Sequence, residues 1–124
     1  MLFRSAYCTR VGSGPFPTEL QDSTGEAIRQ AGREFGATTG RPRRCGWLDL
    51  PALKYTIMIN GVTDLIMTKP DVLSGFETLK VCTAYHIDGN RIDFMPYDVV
   101  NAPIEPEYTE LKGWKKDQIG RAHV

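Results

Sequence analysis

The sequence of 124 residues predicts an α/β fold. Two segments repeat apolar residues at helical spacing, and several short runs rich in apolar or β-branched residues are typical of strands. Turns that contain glycine or proline separate these segments. Helices and strands that alternate along a chain are typical of a sheet covered by helices. A chain of this length forms one domain or part of one.

The first predicted helix begins at a cap near Thr18 and ends near Gly32. Its buried face is expected to comprise Leu20, Ala27, Ile28 and Ala31. The second predicted helix opens at Asp49, because aspartate caps helices and the proline two residues later is tolerated in the first turn. That helix ends at Asn60 or Gly61.

The predicted strands cover residues 64–68, 79–87 and 91–95. The last two form a hairpin around the turn Asp88-Gly89-Asn90, whose residue types favour a tight reversal. Residues 6–11 are predicted to be the end of a strand or a helix that enters a loop, and residues 36–46 are predicted to be a further loop. After Pro96 the chain is polar and proline-spaced, which predicts irregular structure.

The charge balance and the cysteine content restrict the classes to which this protein can belong. Lys and Arg number 15, as do Asp and Glu, so no global field favours nucleic acid or an anionic membrane. No apolar run is long enough to cross a bilayer, and residues 1–5 lack the apolar core of a signal peptide. The cysteines are odd in number and lack metal-type spacing, which predicts buried, unpaired thiols and a reducing, cytoplasmic setting. The three cysteines are Cys8, Cys45 and Cys82.

The most informative segment is residues 35–49, FGATTGRPRRCGWLD. Arginine has a planar fork of donors that binds carboxylate or phosphate in two places, and glycine lets the backbone approach a ligand closely. The segment is therefore predicted to hold a small, multiply charged anion. For the arginines alone, a solvated turn or a weak nucleic-acid patch is the alternative, although the acidic residues Glu34 and Asp49 flank them.

Two neighbouring segments extend this pattern. Residues 9–20, TRVGSGPFPTEL, precede the arginine-rich segment, and residues 65–73, LIMTKPDVL, follow it. In this order and at these spacings, the three segments resemble adenylosuccinate synthetase, and the resemblance continues through residues 80–85 and 113–114. It covers nearly the whole chain but only a middle-to-late piece of that enzyme. It implies an incomplete fold, part of a mixed sheet with flanking helices like that of P-loop NTPases.

The resemblance implies a ligase of purine biosynthesis that condenses inosine monophosphate (IMP) with L-aspartate at the expense of GTP. The γ-phosphoryl group passes to the purine 6-oxygen, and the aspartate amine then displaces phosphate. A loop that closes over aspartate is implied, with Arg41 also contacting IMP, Arg43 also contacting GTP, and Val11 lining IMP. The implied substrate-binding residues are Ala37, Thr38, Thr39, Gly40, Arg41, Pro42, Arg43 and Val11.

The turn Lys69-Pro70-Asp71 follows a predicted strand, where α/β sheets place ligands. The carboxylate of Asp71 can accept from N1–H and the exocyclic amine of guanine, a donor pair that adenine lacks, and the stem of Lys69 can lie over the base. Alone, Lys-Pro-Asp is a common turn. The turn nevertheless matches the guanine-recognition motif of the resembled family, in which leucine commonly replaces Pro70. The implied GTP-binding residues are Arg43, Lys69, Pro70 and Asp71.

Several other residues are predicted to be structural. Arg44 is expected in an ion pair, Trp47 in the core, and His86 partly exposed on a strand, because no second His, Cys or Asp lies at metal spacing. The tyrosines expected to pack are Tyr55, Tyr85 and Tyr97. The glutamates expected to form a solvated acidic stretch are Glu105, Glu107 and Glu110.

The two ends of the chain are expected to be foreign. One short DNA element, read in opposite orientations, can encode both residues 1–5 and residues 118–124. This element resembles a sequencing-library adaptor. We therefore expect the segment native to the resembled enzyme to span residues 6–117.

Phosphoryl transfer needs a phosphate cradle, a metal and a base, and this chain has no glycine-rich loop that ends in Gly-Lys. In the resembled family that loop, the catalytic aspartate and histidine and the Mg²⁺ ligands lie upstream of Ala6. We therefore expect neither catalytic nor metal-binding residues here, and no catalysis by this chain alone. The resembled enzyme is a cytoplasmic homodimer. The alternatives are a non-catalytic guanine-nucleotide-binding module and an inactive remnant.

Overall fold

The computed structural model describes residues 1–114 and has the predicted mixed α/β fold. The described chain contains the helices α1 (Ser23–Gly32) and α2 (Leu50–Asn60) and a short 3₁₀ helix (Pro70–Leu73). Its strands are β1 (Leu2–Ser5), β2 (Cys8–Arg10), β3 (Arg44–Gly46), β4 (Leu48–Asp49), β5 (Leu65–Thr68), β6 (Thr78–Ile87), β7 (Asn90–Ile92) and β8 (Glu105–Lys112). The predicted tail at residues 118–124 lies outside the described residues.

The strands of the described chain form three small sheets. β1 pairs in parallel with β5, and β2 pairs with β3 in antiparallel fashion. In the largest sheet β6 is central, with β4 parallel to it and β7 and β8 antiparallel to it. The mixture of parallel and antiparallel pairs agrees with the predicted mixed sheet.

The parallel pair of β1 and β5 brings two distant segments together. Ser5 lies opposite Thr68, and the Ala6 amide donates to the Thr68 carbonyl oxygen over 2.9 Å. Both strands therefore end at the same edge. Tyr7 and Lys69, which lie just beyond the ends of these strands, are therefore close to each other.

The helices begin and end at recognisable caps. The side chain of Asp49 accepts from the Ala52 amide over 3.1 Å at the start of α2, and Gly61, with φ +59°, ends that helix as predicted. The cap of α1 differs from the prediction. Asp22 caps it, accepting from the Gly25 amide over 3.0 Å, because the hydroxyl of Thr18 is buried and donates to the Trp47 carbonyl oxygen over 2.7 Å.

The core lies between α1, the 3₁₀ helix and the strands around Trp47. Trp47 is buried as predicted and meets Phe76 edge to face, with ring centroids 6.2 Å apart. The main core cluster is Ala6, Tyr7, Ile28, Cys45, Trp47, Val72, Leu73 and Leu79. The three cysteines are free and buried, which confirms the prediction. Neither helix of the described chain has the length and apolar character that crossing a membrane requires.

Four strands were not predicted. β1 lies in the segment expected to be a foreign tail, and β4 overlaps the predicted start of the second helix. β3 occupies the end of the segment predicted as a loop at residues 36–46, and β8 occupies part of the segment predicted to be irregular after Pro96. Proline and glutamate are poor strand formers, so the local composition of β8 does not favour a strand. Its strand conformation comes from pairing with β6, in a register that runs from Thr78 opposite Lys112 to His86 opposite Glu105.

The hairpin between β6 and β7 is confirmed. Asp88 and Gly89 have positive φ, +49° and +80°, as a tight turn between twisted strands requires. The returning strand is shorter than predicted, since β7 ends at Ile92. Of the three tyrosines expected to pack, only Tyr85 is buried, whereas Tyr55 is about half-exposed and Tyr97 is fully exposed.

Candidate functional site

The arginine loop, defined here as residues 36–43, has a closed base and an exposed tip. The Gly36 amide donates to the Arg41 carbonyl oxygen over 2.8 Å, and the Gly40 amide donates to the Gly36 carbonyl oxygen over 2.9 Å. Gly40 has φ +67°, so the reversal at the tip uses the left-handed region that glycine tolerates. Residues 37–42 are exposed. The loop therefore presents its amides, hydroxyls and Arg41 to solvent on a fixed base.

Backbone pairing holds the base of the arginine loop. Phe35 and Pro42 form an isolated antiparallel bridge, and the Arg43 amide donates to the Glu34 carbonyl oxygen over 2.9 Å. The chain then enters β3. The two ends of the loop are thus attached to the body of the fold.

Val11 lies near the same end of the molecule as the base of the loop. In the β2–β3 ladder Arg10 lies opposite Arg44. Continued by one residue, this register sets Val11 opposite Arg43. Val11 is exposed. Two residues implied by the resemblance, 32 positions apart in the sequence, therefore directly adjoin the same end of the β2–β3 ladder, which itself ends at Arg10 and Arg44.

The three arginines have different environments. Arg41 is exposed, and its guanidinium has no partner within residues 1–114. Arg43 is half-buried and donates from NH1 to Glu34 over 3.0 Å, while its Nε is buried and has no partner in the described chain. Arg44 is held by Glu19. Arg41 thus keeps its donors available to a ligand, whereas Arg43 is half-buried against Glu34 and its Nε does not face solvent.

Arg44 is a structural clamp. Its Nε and NH2 donate to the Glu19 carboxylate over 2.7–3.1 Å, and its NH1 donates to the carbonyl oxygens of Gly12 and Gly14 over 2.9 Å each. The guanidinium carbon lies 5.5 Å from the centre of the Phe16 ring. The hydrogen bond from Arg44 lowers the pKa of Glu19. This confirms the predicted ion pair and identifies its partner.

The turn Lys69-Pro70-Asp71 begins where β5 ends. Lys69 has φ +58°, an uncommon conformation for a residue with a side chain, and Pro70 starts the 3₁₀ helix. The Lys69 ammonium lies 2.7 Å from Glu34 Oε1, 3.2 Å from the Gly32 carbonyl oxygen and 3.3 Å from the Tyr7 hydroxyl. Three acceptors occupy its three N–H groups, so the part of Lys69 left to meet a ligand is its aliphatic stem.

Asp71 is exposed on the 3₁₀ helix. Its backbone carbonyl oxygen accepts from the Ser74 amide over 3.0 Å. Its carboxylate makes no hydrogen bond or ion pair within the part of the chain that the structure describes. The carboxylate is therefore oriented by the backbone and open to an external donor.

Glu34 joins the arginine loop to the Lys69 turn. Its side chain is only 2% exposed. Oε1 accepts from the Lys69 ammonium over 2.7 Å and from the Tyr7 hydroxyl, and Oε2 accepts from Arg43 NH1 over 3.0 Å. Burial raises the pKa of Glu34, but the hydrogen bonds from Lys69, Tyr7 and Arg43 outweigh it and hold that pKa below its usual value. The carboxylate is thus a buried anion between two cations.

Tyr7 completes this cluster. It is fully buried, its ring lies 5.8 Å from the Lys69 ammonium, and burial together with the bond to Glu34 raises its pKa strongly. No sequence pattern indicated that Tyr7 is a site residue, and Glu34 was expected only to be an acidic neighbour of the arginines. An acidic residue placed directly before an arginine-rich loop was the available signal for Glu34, but its partners could not be deduced from it.

A second polar cluster lies on the largest sheet. Glu107 Oε1 lies 3.1 Å from His86 Nε2, and Glu107 Oε2 accepts from Arg91 Nε over 2.9 Å. His86 is partly exposed on β6, as predicted. Glu107 lies in an ion-pair network, so the prediction of a merely solvated acidic stretch is wrong for this residue. Across residues 1–114, no group of three or more His, Cys, Asp or Glu is placed to hold a metal ion.

The buried thiols are not activated. Burial raises the pKa of the Cys8, Cys45 and Cys82 thiols, that of Cys82 to about 12. A thiol is nucleophilic and binds metals as the thiolate, which a raised pKa disfavours. Their place in the core supports the structural role predicted from their spacing.

A cleft of about 390 Å³ lies between the start of α2 and the turn at residues 15–18. Arg4, Arg10 and Asp49 contribute polar groups to it, and Met95 and Val99 contribute apolar ones. No residue of the arginine loop or of the Lys69 turn lines this cleft. The predicted site is therefore an exposed surface in the described chain.

Comparisons with known proteins identify the family of this chain. The chain belongs to the adenylosuccinate synthetase family, whose sequence profile matches residues 3–123. This confirms the family predicted from the motifs.

Close relatives are similar over most of this chain. The adenylosuccinate synthetases of Phocaeicola vulgatus and Christiangramia forsetii are each 64% identical over 112 residues, which is 90% of this chain and 26% of theirs. A structure described as fully ligated adenylosuccinate synthetase from Plasmodium falciparum is 42% identical and matches with a TM-score of 0.83, over 91% of this chain and 28% of that one. The chain spans about a quarter of the length of the relatives that it matches.

Proposed function

We propose that the full-length protein containing this segment condenses IMP with L-aspartate at the expense of GTP, giving adenylosuccinate, GDP and phosphate. Membership of the adenylosuccinate synthetase family supports this proposal. The observation that carries it in this chain is the arginine loop, whose exposed tip has an unpartnered Arg41 beside a half-buried Arg43. The segment contributes the aspartate-binding loop and the guanine contact to the larger enzyme.

The arginine loop is the proposed binding site for aspartate. Its dicarboxylate needs donors on two sides, and an arginine can meet each carboxylate with two parallel hydrogen bonds. The free guanidinium of Arg41 is such a donor, and the half-buried Arg43 would supply others if its side chain turned from Glu34 toward the ligand. The hydroxyls of Thr38 and Thr39 add two more. The fixed base of the loop supports a tip that closes over the ligand.

Arg41 and Arg43 are proposed to serve more than one ligand. Arg41 contacts IMP, together with Val11, and Arg43 contacts GTP as well as aspartate. The placement of Val11 at the same end of the β2–β3 ladder as Arg43 supports a shared site. When one loop contacts several ligands, it closes fully only when they are all bound, which limits unproductive hydrolysis of GTP.

The Lys69 turn is the proposed guanine site. The open carboxylate of Asp71 can accept from N1–H and the exocyclic amine of guanine. The Lys69 ammonium is engaged by three acceptors, which leaves the stem to lie along the face of the base. Pro70, where the family commonly has leucine, presents no side-chain hydrogen-bonding group and leaves this contact intact.

The remaining chemistry is assigned to parts of the full-length protein outside this segment. No cluster suited to a metal lies within residues 1–114, so we propose that Mg²⁺ is held by other residues. When bound, Mg²⁺ would neutralise charge on the phosphates of GTP. The catalytic residues are proposed to lie outside this segment as well, so this chain alone is proposed to be inactive. The full-length enzyme is proposed to be a cytoplasmic homodimer that binds neither nucleic acid nor membrane.

Steady-state kinetics of the full-length enzyme test the loop assignment. Arg41→Leu and Arg43→Leu are each expected to raise the KM for aspartate about tenfold to a hundredfold, because a hydrogen bond to a charged group contributes about 1.5–3 kcal/mol. Arg44→Leu is the matched control, since Arg44 is held by Glu19 and backbone carbonyls. It is expected to lower the melting temperature and leave the KM for aspartate within about twofold.

Unchanged aspartate KM and kcat in both loop variants would refute the assignment. Tight GTP binding without condensation by the unsubstituted full-length protein would instead support the alternative of a non-catalytic guanine-nucleotide-binding module.

A further inference from the structure

Glu34 occupies the point where the two proposed ligand sites meet. Its carboxylate is 2% exposed and uses both oxygens, Oε1 for Lys69 and Tyr7 and Oε2 for Arg43. Arg43 belongs to the proposed aspartate site, and Lys69 belongs to the proposed guanine site. Glu34 itself is too deep to touch either ligand, so any effect it has must act through these two cations.

The backbone around Glu34 is fixed. Arg33, with φ +52°, caps the end of α1, and its amide donates to the carbonyl oxygens of Arg29 and Gln30. The Glu34 amide donates to the Arg29 carbonyl oxygen, and the Glu34 carbonyl oxygen accepts from the Arg43 amide, each over 2.9 Å. The carboxylate therefore projects from a fixed helix end and helps to determine where the more exposed side chains of Arg43 and Lys69 lie.

The two cations compensate one buried charge. A buried carboxylate is stable only when it is paired and hydrogen-bonded, so loss of one cation makes the other contact more important. Movement of Arg43 toward a ligand would leave Lys69 and Tyr7 as the remaining partners of Glu34. Conversely, displacement of Lys69 would leave Arg43 and Tyr7 as the partners of Glu34 and would shift the Arg43 guanidinium from its position at the root of the loop.

We propose that Glu34 is a positioning residue that couples the arginine loop to the guanine-recognition turn through Arg43 and Lys69. It holds the Lys69 ammonium inward, so that the stem of Lys69 and the carboxylate of Asp71 face the base, and it holds the Arg43 guanidinium at the root of the loop. Occupancy of one site then changes the position of the cation that serves the other. This inference rests on the proposed function.

The test is a set of double-mutant cycles in the full-length enzyme. Glu34→Gln keeps the shape of the side chain and removes the charge. It is expected to raise the KM values for aspartate and GTP about threefold or more while the KM for IMP stays within about twofold. In the Arg43→Leu background the effect of Glu34→Gln on the aspartate KM should vanish. In the Lys69→Met background its effect on the GTP KM should shrink, and it should vanish once Arg43→Leu is added, because Arg43 is also proposed to contact GTP.

Glu19→Gln is the matched control variant. Glu19 also binds an arginine through its carboxylate, but it has no contact with Lys69 or Arg43. It is expected to lower the melting temperature without raising the KM for aspartate or GTP. A role of Glu34 in stability alone would give the same pattern as Glu19, and that result would overturn the proposal.

A further cycle does not depend on the folding of a Glu34 variant. Arg43→Leu and Lys69→Met are combined, and the KM values for aspartate and GTP are measured in each single variant and in the double variant. Coupling through Glu34 predicts that Lys69→Met changes the aspartate KM about threefold or more when Arg43 is present and has no effect when it is absent. Effects that multiply independently would overturn the coupling while the proposed function stands. If neither single variant alters the KM for its own ligand, both the coupling and the proposed function fail.

Discussion

The phenolic oxygen of Tyr85 lies 2.7 Å and 2.6 Å from the two carboxylate oxygens of Asp49, in the core of the protein. Asp49 also caps α2 through the Ala52 amide. One buried carboxylate therefore joins the start of a helix to the central strand β6. Burial raises the pKa of Asp49, although the hydrogen bonds from Tyr85 and Ala52 oppose that rise.

Tyr85→Phe is expected to destabilise the full-length enzyme by about 1–3 kcal/mol, because a buried acceptor loses its partner. The measurement is urea denaturation, with the free energy of unfolding extrapolated to water. Tyr97→Phe provides the control, since the Tyr97 ring is exposed and the loss of its hydroxyl should have no measurable effect. Equal effects of the two substitutions would mean that the Tyr85–Asp49 contact does not contribute to stability.

Asp71→Asn is expected to weaken discrimination between guanine and adenine nucleotides. The asparagine amide has one oxygen and one NH₂ group, so it cannot accept from both guanine donors as a carboxylate does. The KM for GTP should rise about tenfold or more, since bonds to charged groups contribute about 1.5–3 kcal/mol. Competition between GTP and ATP in the full-length enzyme measures the change.

Asp93→Asn is the matched control for this substitution. Asp93 is also exposed, but it lies beyond β7 and outside the Lys69 turn. It is expected to leave the GTP KM unchanged. The guanine assignment is refuted if Asp71→Asn behaves like Asp93→Asn.

Glu34 is expected to contribute to the acid sensitivity of the fold. Its pKa is lower in the folded state than the usual value of 4.5, so the unfolded chain takes up its proton at a higher pH. The stabilisation is fully present above about pH 4.5 and is lost as the pH falls through the folded pKa. Glu34→Gln removes this contribution, so the free energy of unfolding should decline less steeply below pH 4.5 than in the parent.

Urea denaturation of the full-length enzyme between pH 7 and about pH 3 measures this slope. Glu105→Gln, at an exposed position on β8, should keep the slope of the parent. Asp49 acts in the opposite direction, because its raised pKa makes the folded state bind a proton more readily. If the Glu34 variant has the slope of the parent, the buried ion-pair cluster is not what acid disrupts.

Local patterns in the sequence predicted the elements whose stability is local. The Asp49 cap, the Gly61 end of α2 and the Asp88-Gly89 turn depend on residues within a few positions of one another, and the structure contains all three. β8 was not predicted because its conformation comes from a partner strand about 25 residues away. Thr18 was taken for a helix cap because its preference for a distant carbonyl oxygen has no local signature.

In the candidate site too, features that depend on nearby residues could be predicted and contacts between distant residues could not. The residue types of the arginine loop and the Lys69 turn pointed to anion and guanine binding, and the exposure of Arg41 and Asp71 is consistent with those roles. Glu34 is 35 positions from Lys69, and no sequence pattern relates the two. The packing of the end of α1 against the start of the 3₁₀ helix brings them together, so their contact depends on the tertiary fold.

The left-handed backbone of Lys69 has a consequence for protein engineering. Arg33 and Lys69 both have positive φ, and glycine adopts this conformation without strain. A design programme that seeks heat resistance would therefore favour glycine at both positions. At position 33 such a change would spare the side chains of the proposed site. At position 69 it would relax the backbone but remove the ammonium that neutralises Glu34 and the stem proposed to cover the base. A gain in thermal stability at that residue would therefore come with a loss of nucleotide selectivity.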